Sequence, residues 1–162
     1  MDFSSVLGLL REFLVLILVF GALLAYAVVR GKRALISLIL GLYVALLISL
    51  KFPYYDTLFN LVERTGKSDT IFTIVIFAVF TGIAALLFER LTAEEYEESA
   101  FEGLTKKAAA AVLGTVLIMA YSYHVLPITT LFDPGATVNT LFAPEQYFFW
   151  LLVVPLLGLF LL

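Results

Sequence analysis

Five stretches of this 162-residue chain carry no Asp, Glu, Lys or Arg: residues 13–29, 34–50, 71–88, 108–125 and 147–162. A helix that crosses a bilayer needs roughly 20 mostly apolar residues, with about 17 as the short limit. Each stretch meets or approaches that length, and all ten Lys and Arg fall outside them. Composition points the same way: 62% of residues are hydrophobic and 14% are charged. Soluble domains are nearer half apolar and about a quarter charged, so a soluble fold would have too little polar surface to cover such a core. The expected fold class is therefore all-α: a polytopic transmembrane helix bundle of about five spans with two interfacial amphipathic helices. Residues 1–162 are read as one integral membrane domain.

Orientation rests on Arg30-Gly31-Lys32-Arg33, which sets three cations in four residues between the first two apolar runs. Lys and Arg are retained on the cytoplasmic side of a membrane. If this turn is cytoplasmic, Arg30, Lys32, Arg33, Arg90, Lys106 and Lys107 lie inside, and Arg11, Lys51, Arg64 and Lys67 outside. The N-terminus is then outside and the C-terminus inside. Residues 13–24 resemble the apolar core of a secretory signal, and Ala25-Tyr26-Ala27 fits a small-x-small cleavage site. The cations follow the apolar run instead of preceding it, which favours a retained first span. The preceding segment, residues 2–10, is open to two readings: an extension of the first helix or an interfacial stretch.

Two connections carry their own helical pattern. Over residues 54–64, Tyr54, Tyr55, Leu58, Leu61 and Val62 recur at helical steps among polar residues, after Pro53 and before Gly66. Proline suits a first turn and glycine a C-terminal cap, so an amphipathic helix in the outer interface is expected. Over residues 93–107, Thr92 and Glu95 form a capping box. Tyr96, Ala100 and Leu104 make an apolar stripe, while Glu94, Glu95, Glu97, Glu98 and Glu102 make the other face acidic. Early Glu and late Lys106 and Lys107 both suit the helix dipole. This helix is expected to run into the fourth span. Its acidic face has two readings, a solvated surface or a dock for a basic protein partner; anionic headgroups would repel it. In the last connection, Asp133-Pro134-Gly135 signals a turn, and Pro144-Glu145 marks the start of the last helix. Pro155 falls inside that helix and should kink it.

Chemistry-bearing residues are sparse. The chain has no Cys and one His, which excludes disulfides and the usual zinc ligand sets. His124, in Tyr121-Ser122-Tyr123-His124, lies at the end of the fourth span without an acidic neighbour in sequence. It is read as part of an aromatic belt in preference to a proton relay. Ser37, Ser49 and Thr81 are isolated hydroxyls with no base to activate them. No catalytic residue, cofactor site or metal site is assigned, and the scattered cations give no stripe for a nucleic acid. The spans show packing instead. Ser37, Gly41, Ala45 and Ser49 recur every four residues, and Gly21/Ala25, Ala78/Gly82 and Ala110/Gly114 repeat the spacing. Small-xxx-small faces let helices approach closely in lipid, within one chain or between copies in a homo-oligomer.

The run Arg30-Gly31 followed by Leu35-Ile36-Ser37-Leu38, with Phe101-Glu102-Gly103-Leu104 through Gly114 later, resembles the colicin V production protein family over roughly residues 12–125. Lys32-Arg33 after the glycine, and a fifth span behind a long loop, depart from that pattern. The resemblance implies a bacterial inner-membrane protein linked to toxin export or envelope maintenance, and no catalytic residues. The function expected is a non-enzymatic scaffold or accessory subunit; the alternative is a small oligomeric transporter or channel.

Overall fold

A computed structural model describes residues 3–51, 66–91, 103–126 and 136–162. The described residues form six helices: α1 (Phe3–Arg30), α2 (Lys32–Lys51), α3 (Gly66–Leu91), α4 (Leu104–His124), α5 (Ala136–Phe142) and α6 (Glu145–Phe160). Among the described residues there is no strand. The first four helices are long and apolar enough to cross a membrane by length and composition. Large apolar side chains stand exposed along them, with Leu18 63%, Val75 52% and Leu86 58% accessible. Soluble monomers rarely expose contiguous apolar area on this scale. In a bilayer such side chains meet lipid at no cost.

The chain divides into two compact units, Met1–Leu35 with Glu98–Leu162, and Ile36–Glu97. In the first unit α4 is the central helix. Leu113 of α4 lies against Gly158 of α6, and His124 at the end of α4 lies against Phe148 near the start of α6. The two helices are therefore antiparallel. Phe13, Val15 and Leu16 of α1 pack against the cluster of Met119 of α4 with Val138 and Phe142 of α5, while Lys32, just beyond α1, reaches Leu162, just beyond α6. So α1 also runs antiparallel to α4. Ala110, Ala111 and Gly114 are buried on α4, and their small side chains allow the neighbouring helices to come close.

In the second unit α2 and α3 meet at a close crossing. A Cβ added to Gly41 would stand 2.9 Å from both the Ala85 nitrogen and the Thr81 carbonyl oxygen. Both are backbone atoms, so Gly41 is where α2 accommodates the main chain of α3. Phe77, Thr81 and Ala84 are buried on α3; Ser37, Leu42 and Ala45 are buried on α2.

Several expectations change. The first helix begins at Phe3, so residues 3–10 lengthen it. Gly66 is the first residue of α3, and the earlier helix that it was expected to cap lies outside the described residues. The expected helix over 93–107 does not run into the fourth span. Gly103 has φ 69°, a left-handed conformation that interrupts helical geometry, and Lys106 and Lys107 belong to the first turn of α4. The last apolar run forms a helix of 16 residues, about 24 Å long and short of a ~30 Å hydrocarbon core. It begins after Pro144, as expected, and continues past Pro155, which is buried. The expected helix over 54–64 and the acidic residues Glu94, Glu95, Glu97, Glu98 and Glu102 lie outside the described residues.

Candidate functional site

The residues singled out from the sequence separate into three places. The first is the α2–α3 crossing just described. Ser37 and Ala45 are buried with Gly41 on α2, and Ser49 is half-buried. The corresponding face of α3 is not the expected one. Ala78 and Gly82 are exposed, and a Cβ on Gly82 would meet nothing within 4 Å. The helix turns Phe77, Thr81 and Ala84 inward, one position away, leaving the Ala78/Gly82 pair outward. Gly21 and Ala25 on α1 are likewise exposed, with nothing within 4 Å of a Cβ on Gly21.

The second place is the end of the first unit at which α4 finishes. His124 Nε2 lies 2.8 Å from the carbonyl oxygen of Phe142, the last residue of α5. A carbonyl only accepts, so Nε2 carries the hydrogen and donates it. The final carbonyls of a helix have no intrahelical donor, and the imidazole supplies one here. The ring also packs on Phe148, centroids 4.5 Å apart, and Tyr123 stacks on Phe142 at 6.1 Å. His124 thus ties α4, α5 and α6 together. Tyr147, Phe149 and Trp150 are exposed on the first turns of α6, as aromatic residues at a membrane–water interface are. Tyr121 is not part of that belt: it is 1% exposed and faces the core. Sequence reading missed α5. Its signal is the apolar pair Val138 and Phe142 at i, i+4, both buried against Met119.

The third place is the opposite end of the first unit. From the Leu113–Gly158 contact, Leu162 lies roughly 6 Å further along α6, and Lys107 about 9 Å the same way along α4. Lys32 Nζ reaches to 3.5 Å from the Leu162 carbonyl oxygen. Arg30, Lys32, Arg33, Lys106 and Lys107, from parts of the chain over 70 residues apart, are therefore gathered at one end. Gly31, at φ 89°, makes the α1–α2 link in a single residue, a backbone conformation that glycine adopts without steric cost. Arg30 and Lys106 are exposed, Lys32 and Arg33 half-buried, and Lys107 only 1% exposed.

Among the described residues, no three His, Cys, Asp or Glu side chains cluster as a metal site would require. Two buried threonine hydroxyls bond to their own helices: Thr81 to Phe77 O at 2.9 Å and Thr115 to Ala111 O at 2.7 Å. Comparison with protein-family models, with curated proteins and with solved structures gives no match.

Proposed function

We propose that this chain is a non-enzymatic inner-membrane protein, a scaffold or accessory subunit in export or envelope maintenance. The observation that carries this reading is how hydroxyls inside the helices are used. Thr81, Thr115, Ser122 and Ser49 each donate to a carbonyl three or four residues back on the same helix. A hydroxyl committed in this way is a poor lining for a solute path and a poor nucleophile. The outward faces at Gly21 on α1 and at Ala78 and Gly82 on α3 support the same reading, because small residues let a helix of another chain approach closely in lipid. The link to export or envelope maintenance rests on the resemblance of residues 12–125 to colicin V production proteins. In this reading the cationic end of the first unit is cytoplasmic and α1 starts outside.

Purification of the full chain from its native membrane in mild detergent, followed by mass spectrometry, tests the proposal. A protein partner at fixed stoichiometry is expected, with no solute flux when the chain alone is reconstituted in liposomes. Recovery of the chain only with itself, together with flux, would replace the scaffold with the oligomeric transporter.

A further inference from the structure

We propose that the cationic end of the first unit holds the phosphate of an anionic phospholipid headgroup. Three elements converge there: the end of α1 with Arg30, the start of α2 with Lys32 and Arg33, and the start of α4 with Lys106 and Lys107. Arg30, Arg33 and Lys107 also engage groups of the chain itself. A guanidinium has five N–H donors, so the exposed Arg30 and the half-buried Arg33 can share theirs with a phosphate, while Lys107, 1% exposed, contributes its charge from beneath the surface. Lys32 contacts the Leu162 carbonyl at only 3.5 Å, near the limit of a hydrogen bond, so a phosphate oxygen would compete for it readily.

The start of α4 adds an independent contribution. Gly103 enters the helix at φ 69°, ψ 21° and, as a glycine, brings no side-chain cap of its own, and the Lys107 amide donates to the Gly103 carbonyl. The amides of the first turn before Lys107 are those that a helix leaves without an intrahelical acceptor. Together with the helix dipole they favour an anion at that point. Basic positions at the cytoplasmic ends of membrane helices are where phospholipid headgroups bind.

Apolar surface beside the cations points to a lipid as the source of the phosphate. Val29 precedes Arg30 and is 81% exposed; Leu104, two residues before Lys106, is 43% exposed; Phe160 and Leu161, beside Leu162, are 84% and 89% exposed. A headgroup on the cations would lay its acyl chains on these side chains. A soluble phosphate would gain nothing from them.

Native mass spectrometry of the detergent-solubilised full chain tests this with phosphatidylglycerol as probe, and phosphatidylcholine and inorganic phosphate as comparators. The wild type should retain one phosphatidylglycerol at least about tenfold more tightly than phosphatidylcholine, and equimolar inorganic phosphate should not displace it. Lys106→Gln and Lys32→Gln should each weaken retention about fivefold, the value of one lysine near an anionic surface. Lys51→Gln removes the same charge from an exposed position in the second unit and should leave retention unchanged. Unaltered melting in phosphatidylcholine micelles shows that each variant is folded. Equal retention of both lipids, undiminished selectivity in the folded Lys32→Gln/Lys106→Gln double variant, or equal weakening by Lys51→Gln would overturn the proposal. Displacement by inorganic phosphate would overturn it too, by making the site one for a soluble anion.

Discussion

Replacing Gly41 by alanine puts one methyl group into the α2–α3 crossing. Its carbon would lie 2.9 Å from two backbone atoms of α3, about 0.5 Å inside the 3.4 Å at which ordinary contact begins. Neither atom belongs to a side chain that can rotate aside, so the two helices must separate. Overpacking of this kind costs about 1–3 kcal/mol. Alanine also favours a helix over glycine by up to about 1 kcal/mol, which offsets part of that cost. Gly82→Ala separates the two effects. It brings the same gain in helix preference at a position where an added Cβ meets nothing within 4 Å. The difference in unfolding free energy between Gly41→Ala and Gly82→Ala should therefore be about 1–3 kcal/mol, with Gly41→Ala the less stable. Gly41→Leu, with its larger side chain, should lie at or beyond the upper end of that range. Equilibrium unfolding in mixed micelles of fixed composition measures all three. Equal stabilities for the two alanine variants would show that the helices do not meet at Gly41 and would refute the packing argument.

Three further outcomes are expected. His124→Phe keeps a ring against Phe148 but removes the donor to the Phe142 carbonyl; losing about 1 kcal/mol there should speed amide exchange in α5 roughly fivefold, and unchanged exchange would show that the bond does not hold α5. A cysteine at Ser99 should resist an impermeant maleimide in intact cells while one at Ser68 reacts; the reverse pattern would invert the proposed orientation. Changing Glu94, Glu95, Glu97 and Glu98 together to Gln keeps size and helix preference nearly constant. The bundle should stay folded while the partner is lost, and full co-purification would mean that the acidic face is only solvated.

Much of the architecture can be read from residues 13–29, 34–50, 71–88 and 108–125, because uncharged apolar length is what a bilayer selects and helix is the way such a segment satisfies its backbone. The junctions are harder. Gly103 reads in sequence as one glycine inside an amphipathic pattern, and only its left-handed φ marks the break before Leu104. Small-residue spacing finds a face but not the direction it points. Gly41 turns to a neighbouring helix while Gly82, with the same spacing pattern, turns outward, and a one-position rotation of α3 decides between them. The lone His124 gives no sign in sequence of its acceptor, a backbone carbonyl 18 residues away. The cationic end was half legible: the Arg30–Arg33 turn stands out, but Lys106 and Lys107 join it only through the antiparallel packing of α1 and α4.

The most direct test of the scaffold reading is photo-crosslinking in native membranes from a photoreactive residue placed at Gly82, on the outward face of α3. A helix of a partner chain on that face should trap the probe as one discrete protein adduct, absent when the probe is placed at the exposed apolar position Leu87, roughly 140° round the helix from Gly82. Lipid adducts alone at both positions would contradict the account, because the small-residue face would then be ordinary lipid-facing surface.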